Sequence, residues 1–373
     1  MSILASFDHQ PRTRIVFGDG SVSHIGELAR DIGAKRVLVV TDAGIVQAGH
    51  IARALSALNE VGLQASVFDR VKENPDTRVV DDCVAAAREF QADFLIGLGG
   101  GSSMDTAKGC NFILTNGGRM ADYWGLGKAT KPMLPMIAVP TTAGTGSECQ
   151  SFALISDEVT HAKMACGDPK CAPRIALLDP QLTVSMPRTV TVLTGIDAIA
   201  HAIETSVTKT RNAVSVMYSR EAFRLLIKGF ERVLGDPQDI EARGFMLLGA
   251  AFSGVAIENS MLGAAHSCAN PLTAHYHIVH GHAVGLMLPH VIRFNSALVD
   301  PALEYRDLFD GDLAARITSL LTEAGLPETL GACGVDRGKI PEFAKEAASQ
   351  WTAKFNPRET LEADFVKLYE AAM

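Results

Sequence analysis

Short apolar, β-branched runs alternate with stretches of helical periodicity through the first half of the chain. Arg36–Val40 (RVLVV) has the pattern of a strand, and residues 44–61 after it that of a helix. Ser66–Asp69 (SVFD) is a second strand, followed by a helix over 77–90. Phe94–Gly99 (FLIGLG) is a third, followed by a helix over 103–114, and Pro135–Pro140 (PMIAVP) is a fourth. Near the N-terminus, RIVFG adds a strand signal that could pair across a two-fold axis. This alternation predicts a parallel α/β sheet. Beyond about Pro180 the β-branched runs thin out. Helical patterns then dominate over 215–234, 240–258, 303–324 and 341–350. The expected organisation is an α/β domain over 1–185 and an all-helical domain over 186–373, with LLDPQLTVSMP (Leu177–Pro187) at the boundary.

Composition agrees with two folded domains. A chain of 373 residues exceeds one ordinary core, and 47% hydrophobic with 20% charged residues is the balance of a globular protein. A net charge of −8 disfavours nucleic-acid binding, which wants a basic face. MSILASFDHQPRTR has no basic stretch leading into an apolar one, which predicts no signal peptide. No apolar run approaches the roughly 20 residues of a membrane span. A soluble cytoplasmic protein with no membrane partner is expected. The seven cysteines contain no C-x-x-C pair and are expected to be reduced, mostly packed thiols.

The chemistry concentrates in four places. Gly99-Gly100-Gly101-Ser102-Ser103-Met104-Asp105 follows a strand and opens a helix. Its glycines allow close backbone approach, and the helix N-terminus suits a pyrophosphate. The spacing is not the usual G-x-G-x-x-G, Ser102 following three consecutive glycines, so the cradle is of a different design, or else a tight turn with an ordinary cap. Pro140-Thr141-Thr142-Ala143-Gly144-Thr145-Gly146-Ser147-Glu148 also follows a strand. Loops at the carboxyl ends of parallel strands converge on one ligand in doubly wound folds. Asp42 ends its strand, where an acid either accepts from ribose hydroxyls and repels a 2′-phosphate or caps the next helix. Asp197 and His201, four apart in GIDAIAHAIE, share a helix face, and His266 and His280 follow in later segments. One carboxylate and three imidazoles without thiolate suit Fe(II), Zn(II) or another divalent ion.

Taken together, GGGSSMDTAK, PTTAGTGSE, LLDPQL, TGIDAIAHAIE and the His266-x13-His280 pair ending in HG resemble the iron-containing, group III alcohol dehydrogenases. The motifs fall in the family's order over roughly residues 10–295. The resemblance implies the dehydroquinate synthase-like architecture of an N-terminal dinucleotide-binding domain and a helical metal- and substrate-binding domain. It implies metal ligation by Asp197, His201, His266 and His280. It places Asp42, Asn74, Gly99, Gly100, Gly101, Ser102, Asp105, Thr141, Thr142, Ser147 and Lys163 around NAD rather than NADP, with Leu182 and Val184 near the same stretch. The implied activity is hydride transfer between the nicotinamide and a small alcohol or carbonyl compound; a homodimer or higher homo-oligomer is expected only as the default for a soluble enzyme. Many relatives carry a second histidine four residues after the third ligand; this chain has Asn270. Asparagine can hydrogen-bond but cannot relay a proton at neutral pH, so either another group does so, with His277 and His282 flanking His280 as candidates, or water does. Phe252, Ile257, Met261, Leu262, Trp124 and Cys268 are expected either to line a substrate pocket or to be core. A hydroxyacid–oxoacid transhydrogenase and a dehydroquinate-synthase-like lyase remain alternatives on the same architecture, although HSCANPLTAHYHIVHGH lacks the basic residues that a phosphate substrate needs.

Overall fold

The computed structural model describes residues 6–373. The chain divides into two compact units, Gln10–Met186 and Pro187–Met373, the latter joined by residues 6–9, where His9 Nδ1 meets Asn259 Oδ1 at 3.1 Å.

The first unit is built on β1 (Arg14–Phe17), β2 (Arg36–Val40), β3 (Gln64–Phe68), β4 (Phe94–Gly99), β5 (Gly125–Leu126), β6 (Met136–Pro140), β7 (Phe152–Ser156), β8 (Lys163–Gly167) and β9 (Ile175–Leu178). Six strands form a parallel sheet in the order β1-β9-β6-β4-β2-β3. The helices are α1 (Ile25–Asp31), α2 (Ala43–Gln47), α3 (His50–Glu60), α4 (Thr77–Phe90) and α5 (Gly101–Asn116). Alternate strand residues enter two separate cores. Val37, Val39, Phe94, Ile96 and Leu98 pack with Ile25, Ile51 and Leu58 of α1 and α3. Leu38, Val40, Leu95 and Met136 pack with Val80, Val84, Met104 and Ala107 of α4 and α5. Helices on both faces explain why these strands are continuously apolar rather than alternating.

Two details depart from the sequence expectation. The helix expected over 44–61 is two helices, broken at Gly49, which takes φ 81°. A second, three-stranded sheet of order β5-β8-β7 contains an antiparallel pair, Phe152–Ser156 against Lys163–Gly167. Its strands are two to five residues long and are joined without an intervening helix between β7 and β8, so they fall outside the strand–helix alternation.

The second unit is helical: α6 (Arg188–Val207), α7 (Ala213–Gly235), α8 (Ile240–Ser260), α9 (Ala264–Tyr276), α10 (His280–Asn295), α11 (Val299–Leu308), α12 (Leu313–Ala324), α13 (Ile340–Ser349) and α14 (Glu362–Ala371). The single helix expected over 303–324 is α11 and α12, separated at the Asp310-Gly311-Asp312 turn, where Asp312 caps α12 by accepting from Ala315 N. Contrary to the expectation from apolar runs, α6 and α8 are long and apolar enough to cross a membrane. Their apolar windows are 83% and 67% buried among the other helices, so helix–helix packing accounts for the composition. All seven cysteines are free thiols and all but Cys333 are buried.

Candidate functional site

The glycine turn carries β4 into α5. Gly99 takes φ 151°, and a Cβ there would lie 2.4 Å from Ser103 Oγ, so only glycine fits. Gly100 caps α5 with no side chain over the helix end, which leaves the first N–H groups without a side-chain partner. The loop after β6 lies directly on this turn. Thr141 N donates to Gly99 O at 2.9 Å. A Cβ on Gly100 would meet Thr142 Cγ2 at 3.4 Å, and one on Gly101 would meet Thr145 Cγ2 at 2.9 Å. The two glycine-rich segments therefore form one surface, as the parallel-strand argument expects.

Three buried hydroxyls at this edge, Thr41, Ser103 and Thr141, find no protein partner. They follow β2, β4 and β6, which are neighbours in the sheet. Orphaned hydroxyls beside open helix N–H groups are the donor set a pyrophosphate requires. Ser103 belongs to the glycine motif itself, whereas Thr41 escaped the motif reading because an isolated hydroxyl at a strand end carries no spacing signal.

Asp42 does cap α2: its Oδ1 accepts from Gly44 N at 2.9 Å and Ile45 N at 3.1 Å. Its other oxygen, Oδ2, lies 3.6 Å from where a Gly99 Cβ would be. Capping therefore uses one oxygen of the carboxylate and leaves the other beside the glycine turn. Ser102 and Thr142 are half-buried at the turn, Asn74 is exposed in a left-handed turn at φ 50°, and Lys163 is exposed at the start of β8. Asp105 and Ser147 are buried and bonded to each other, Ser147 Oγ donating to Asp105 Oδ1 at 2.8 Å. Burial pushes the Asp105 carboxyl up, against the pull of Lys108 and the Ser147 hydrogen bond. Leu182 is in the sheet core rather than on the turn, and Val184 is half-buried.

In the helical unit, three imidazoles converge on one oxygen. His201 Nε2 and His266 Nε2 each lie 3.5 Å from Asp197 Oδ1, and His280 Nε2 lies 3.9 Å from it. The His201 and His266 rings stack with centroids 4.8 Å apart. Asp197, His201 and His266 are buried, while His280 is one-third exposed. Asp197 Oδ1 and His266 Nε2 have no hydrogen-bond partner despite burial. A divalent ion satisfies both, and the nitrogen–oxygen donor set suits iron or zinc.

The support beneath these donors includes residues the motif reading passed over. Glu204, one turn beyond His201 on α6, is buried and lies 2.6 Å from His266 Nδ1 through Oε2. Its oxygens also accept from Gly263 N and Ala265 N at the start of α9. A carboxylate on Nδ1 fixes the ring so that Nε2 faces Asp197. A Cβ on Gly281 would lie 2.0 Å from Leu193 O and 3.4 Å from Asp197 Cβ. The glycine after His280 therefore lets α10 start against α6. Burial raises and the imidazoles lower the Asp197 carboxyl, and the imidazoles win, holding it well below the usual carboxylate range. Burial lowers and the Glu204 and Asp197 carboxylates raise the His266 imidazole, which ends pushed up to about 9.

Asn270, one turn beyond His266 on α9, donates through Nδ2 to Gln350 Oε1 at 3.0 Å. His277 is exposed and ends α9 in a left-handed conformation, φ 54°. His282 is tied to Pro327 O at 2.8 Å, which occupies its Nε2. Ile257 and Cys268 are core residues, Phe252 packs edge-on against Tyr218, Met261 and Leu262 are half-buried, and Trp124 is exposed in the first unit.

The sequence matches the family model of iron-containing alcohol dehydrogenase over residues 11–180 and its C-terminal model over 191–373. It is 32% identical to an NAD-dependent methanol dehydrogenase of Bacillus methanolicus over 96% of this chain and 97% of that one. It is 32% identical to a lactaldehyde reductase of Escherichia coli over 95% and 97%. The fold superposes on sulfoacetaldehyde reductase from Bifidobacterium kashiwanohense in complex with NAD+, with TM-score 0.90, 28% identity and coverage of 98% of each chain.

Proposed function

The chain belongs to the iron-containing alcohol dehydrogenase family, and on that premise we propose that it transfers hydride reversibly between NAD and a small alcohol, aldehyde or ketone. Asp197, His201, His266 and His280 would hold a divalent metal, Fe(II) first, with Zn(II) or another divalent ion as the alternative. The observation that carries this reading is the convergence of three imidazole Nε2 atoms on the unpartnered Asp197 Oδ1.

When bound, the metal supplies Lewis acidity toward the substrate oxygen, and the nicotinamide supplies the hydride site. The protein's own groups do the rest. Glu204 holds the His266 tautomer, and the Asp197 carboxylate offsets cationic charge. The open start of α5 and the threonines of the 141–145 loop take the pyrophosphate. Asp42 Oδ2 accepts from the ribose and repels a 2′-phosphate, which favours NAD over NADP. Asn270 cannot carry a proton, so proton exchange with solvent falls to the exposed His277 or to His280. Residues 1–185 serve the dinucleotide and 186–373 the metal and substrate. The apolar side chains Met261 and Leu262 suit a short alkyl substrate. The protein is proposed to be a cytoplasmic homodimer or higher homo-oligomer, symmetric association being the rule for soluble enzymes.

The test strips the protein with a chelator, reloads Fe(II) or Zn(II), and follows NADH consumption against a panel of short aldehydes and ketones. Activity should return with metal and be absent in His266→Ala, which should still bind NADH. Full activity in the stripped protein would refute the metal assignment. Substrate exchange without net NADH turnover would instead indicate a transhydrogenase.

A further inference from the structure

Lys108 is the last residue of GGGSSMDTAK and is completely buried on α5, in the second turn after the glycines. A lysine following a glycine-rich turn is commonly a phosphate ligand. Here its ammonium is committed elsewhere. Nζ donates to Ser147 O at 2.6 Å, to Ser147 Oγ at 2.8 Å and to Phe152 O at 2.9 Å. An ammonium has three donors, so none remains for a ligand. Ser147 Oγ passes the contact on to Asp105 Oδ1 at 2.8 Å.

These bonds bracket the far end of the loop that lies on the glycine turn. Its near end is pinned by Thr141 N on Gly99 O at 2.9 Å. Between the two pins stand Thr142 and Thr145, whose side chains touch the faces of Gly100 and Gly101. With Lys108 in place, both loop ends are tied to the β4–α5 junction, and the hydroxyls and open N–H groups are held in position before a ligand arrives. Without it the far end of the loop loses three of these bonds and keeps the one from Ser147 Oγ to Asp105, which is left as a buried carboxylate without the larger of the cationic charges that offset its burial.

We propose that Lys108 is a positioning residue for the dinucleotide, clamping the 141–152 segment onto the glycine turn through Ser147 and Phe152 without touching the cofactor. The proposal rests on the assignment of that turn to NAD. Asp105 and Ser147 are then members of the clamp rather than cofactor contacts.

The test compares full-length wild type with the double variant Asp105→Asn/Lys108→Met, which removes both buried charges together, and with Ser147→Ala, which removes the shared hydroxyl. NADH dissociation constants are measured by fluorescence titration, alongside KM for NAD, kcat and bound metal. Ordering of the loop should be worth at least about tenfold in NADH affinity for the double variant, and less for Ser147→Ala. KM for NAD should rise in parallel, while kcat at saturating NAD and metal content stay within a few-fold of wild type. A variant that is merely less thermostable but binds NADH as wild type does overturns the proposal. So does an equal loss in kcat and metal content with no change in NADH affinity. If the double variant does not fold, Ser147→Ala carries the same readout. Wild type that fails to bind NADH would refute the functional assignment itself rather than the clamp.

Discussion

His266 Nδ1 and Glu204 Oε2 stand 2.6 Å apart, both buried, and this contact decides which ring nitrogen faces Asp197. With Nδ1 donating to the carboxylate, Nε2 keeps its lone pair for a metal. Glu204→Gln keeps the size of the side chain but only one acceptor, for either the Gly263 or the Ala265 N–H, which bond to different oxygens of the carboxylate. It removes the charge that holds the ring. Metal affinity should fall about 10- to 100-fold, read by competition with a chromophoric chelator. An unchanged affinity would mean that packing alone orients His266.

A second expectation follows from backbone geometry. The position for a Cβ on Gly281 is 2.0 Å from Leu193 O, which is main chain and cannot turn aside. Gly281→Ala must therefore push the start of α10 away from α6, moving His280 off Asp197. Overpacking of this kind costs about 1–3 kcal/mol or more. A lower Tm together with substoichiometric metal should result. Leu193→Ala should not rescue it, because the obstacle is the carbonyl rather than the side chain. Normal metal content in Gly281→Ala would show that the contact relaxes without consequence.

These two residues mark where the sequence stops being legible. Asp197 and His201 could be picked out as candidates by residue type and their four-residue spacing, the family resemblance added His266 and His280, and the structure brings the four side chains together. The strands flanking the glycine turns were readable because burial on both faces writes a continuous apolar run. Glu204 had a weak signal, since it follows His201 by three residues on one helix face, yet a lone glutamate in a helix is ordinarily a solvated charge. Gly281 was visible only as part of HG, and nothing local reveals that the carbonyl of Leu193 waits above it. The clamp around Lys108 joins segments some 40 residues apart, which no periodicity encodes. The antiparallel pair β7 and β8 has no helix between its strands, so it falls outside the strand–helix alternation that made the main sheet readable.

Asp42 caps a helix and leaves room for the second reading, as a cofactor selector. Its Oδ1 caps α2, and Oδ2 is left beside Gly99. The two roles separate by substitution. Asp42→Asn keeps a capping oxygen and removes the charge, whereas Asp42→Gly removes both, at a helix cost of only a few tenths of a kcal/mol. If charge selects the cofactor, both variants should raise the NADP-to-NAD ratio of kcat/KM, by roughly tenfold or more given the removal of a charge–charge repulsion near a 2′-phosphate. If capping is its only role, the ratio stays at the wild-type value in both.

Glu148 gives a pH signature of its own. It is buried beside the Lys108 clamp with Oε1 unpartnered, and burial pushes its carboxyl up from 4.5 to about 7, the hydrogen bond from its own backbone and the Lys108 charge opposing. The folded state therefore holds a proton that the unfolded state has already released over this range. Its stabilising effect is fully present below about 4.5 and is lost as pH rises through about 7. The difference between those two values corresponds to about 3 kcal/mol as an upper bound. Glu148→Gln removes this titration while keeping the shape. In urea unfolding of the cofactor-free protein, the variant should gain stability relative to wild type as pH is raised from 4.5 to 8.5, with most of the change between about 5 and 7. Other titrating groups cancel in that difference. A variant-to-wild-type difference that is flat across this range would mean that Glu148 is already ionised, and that its charge is accommodated by the clamp.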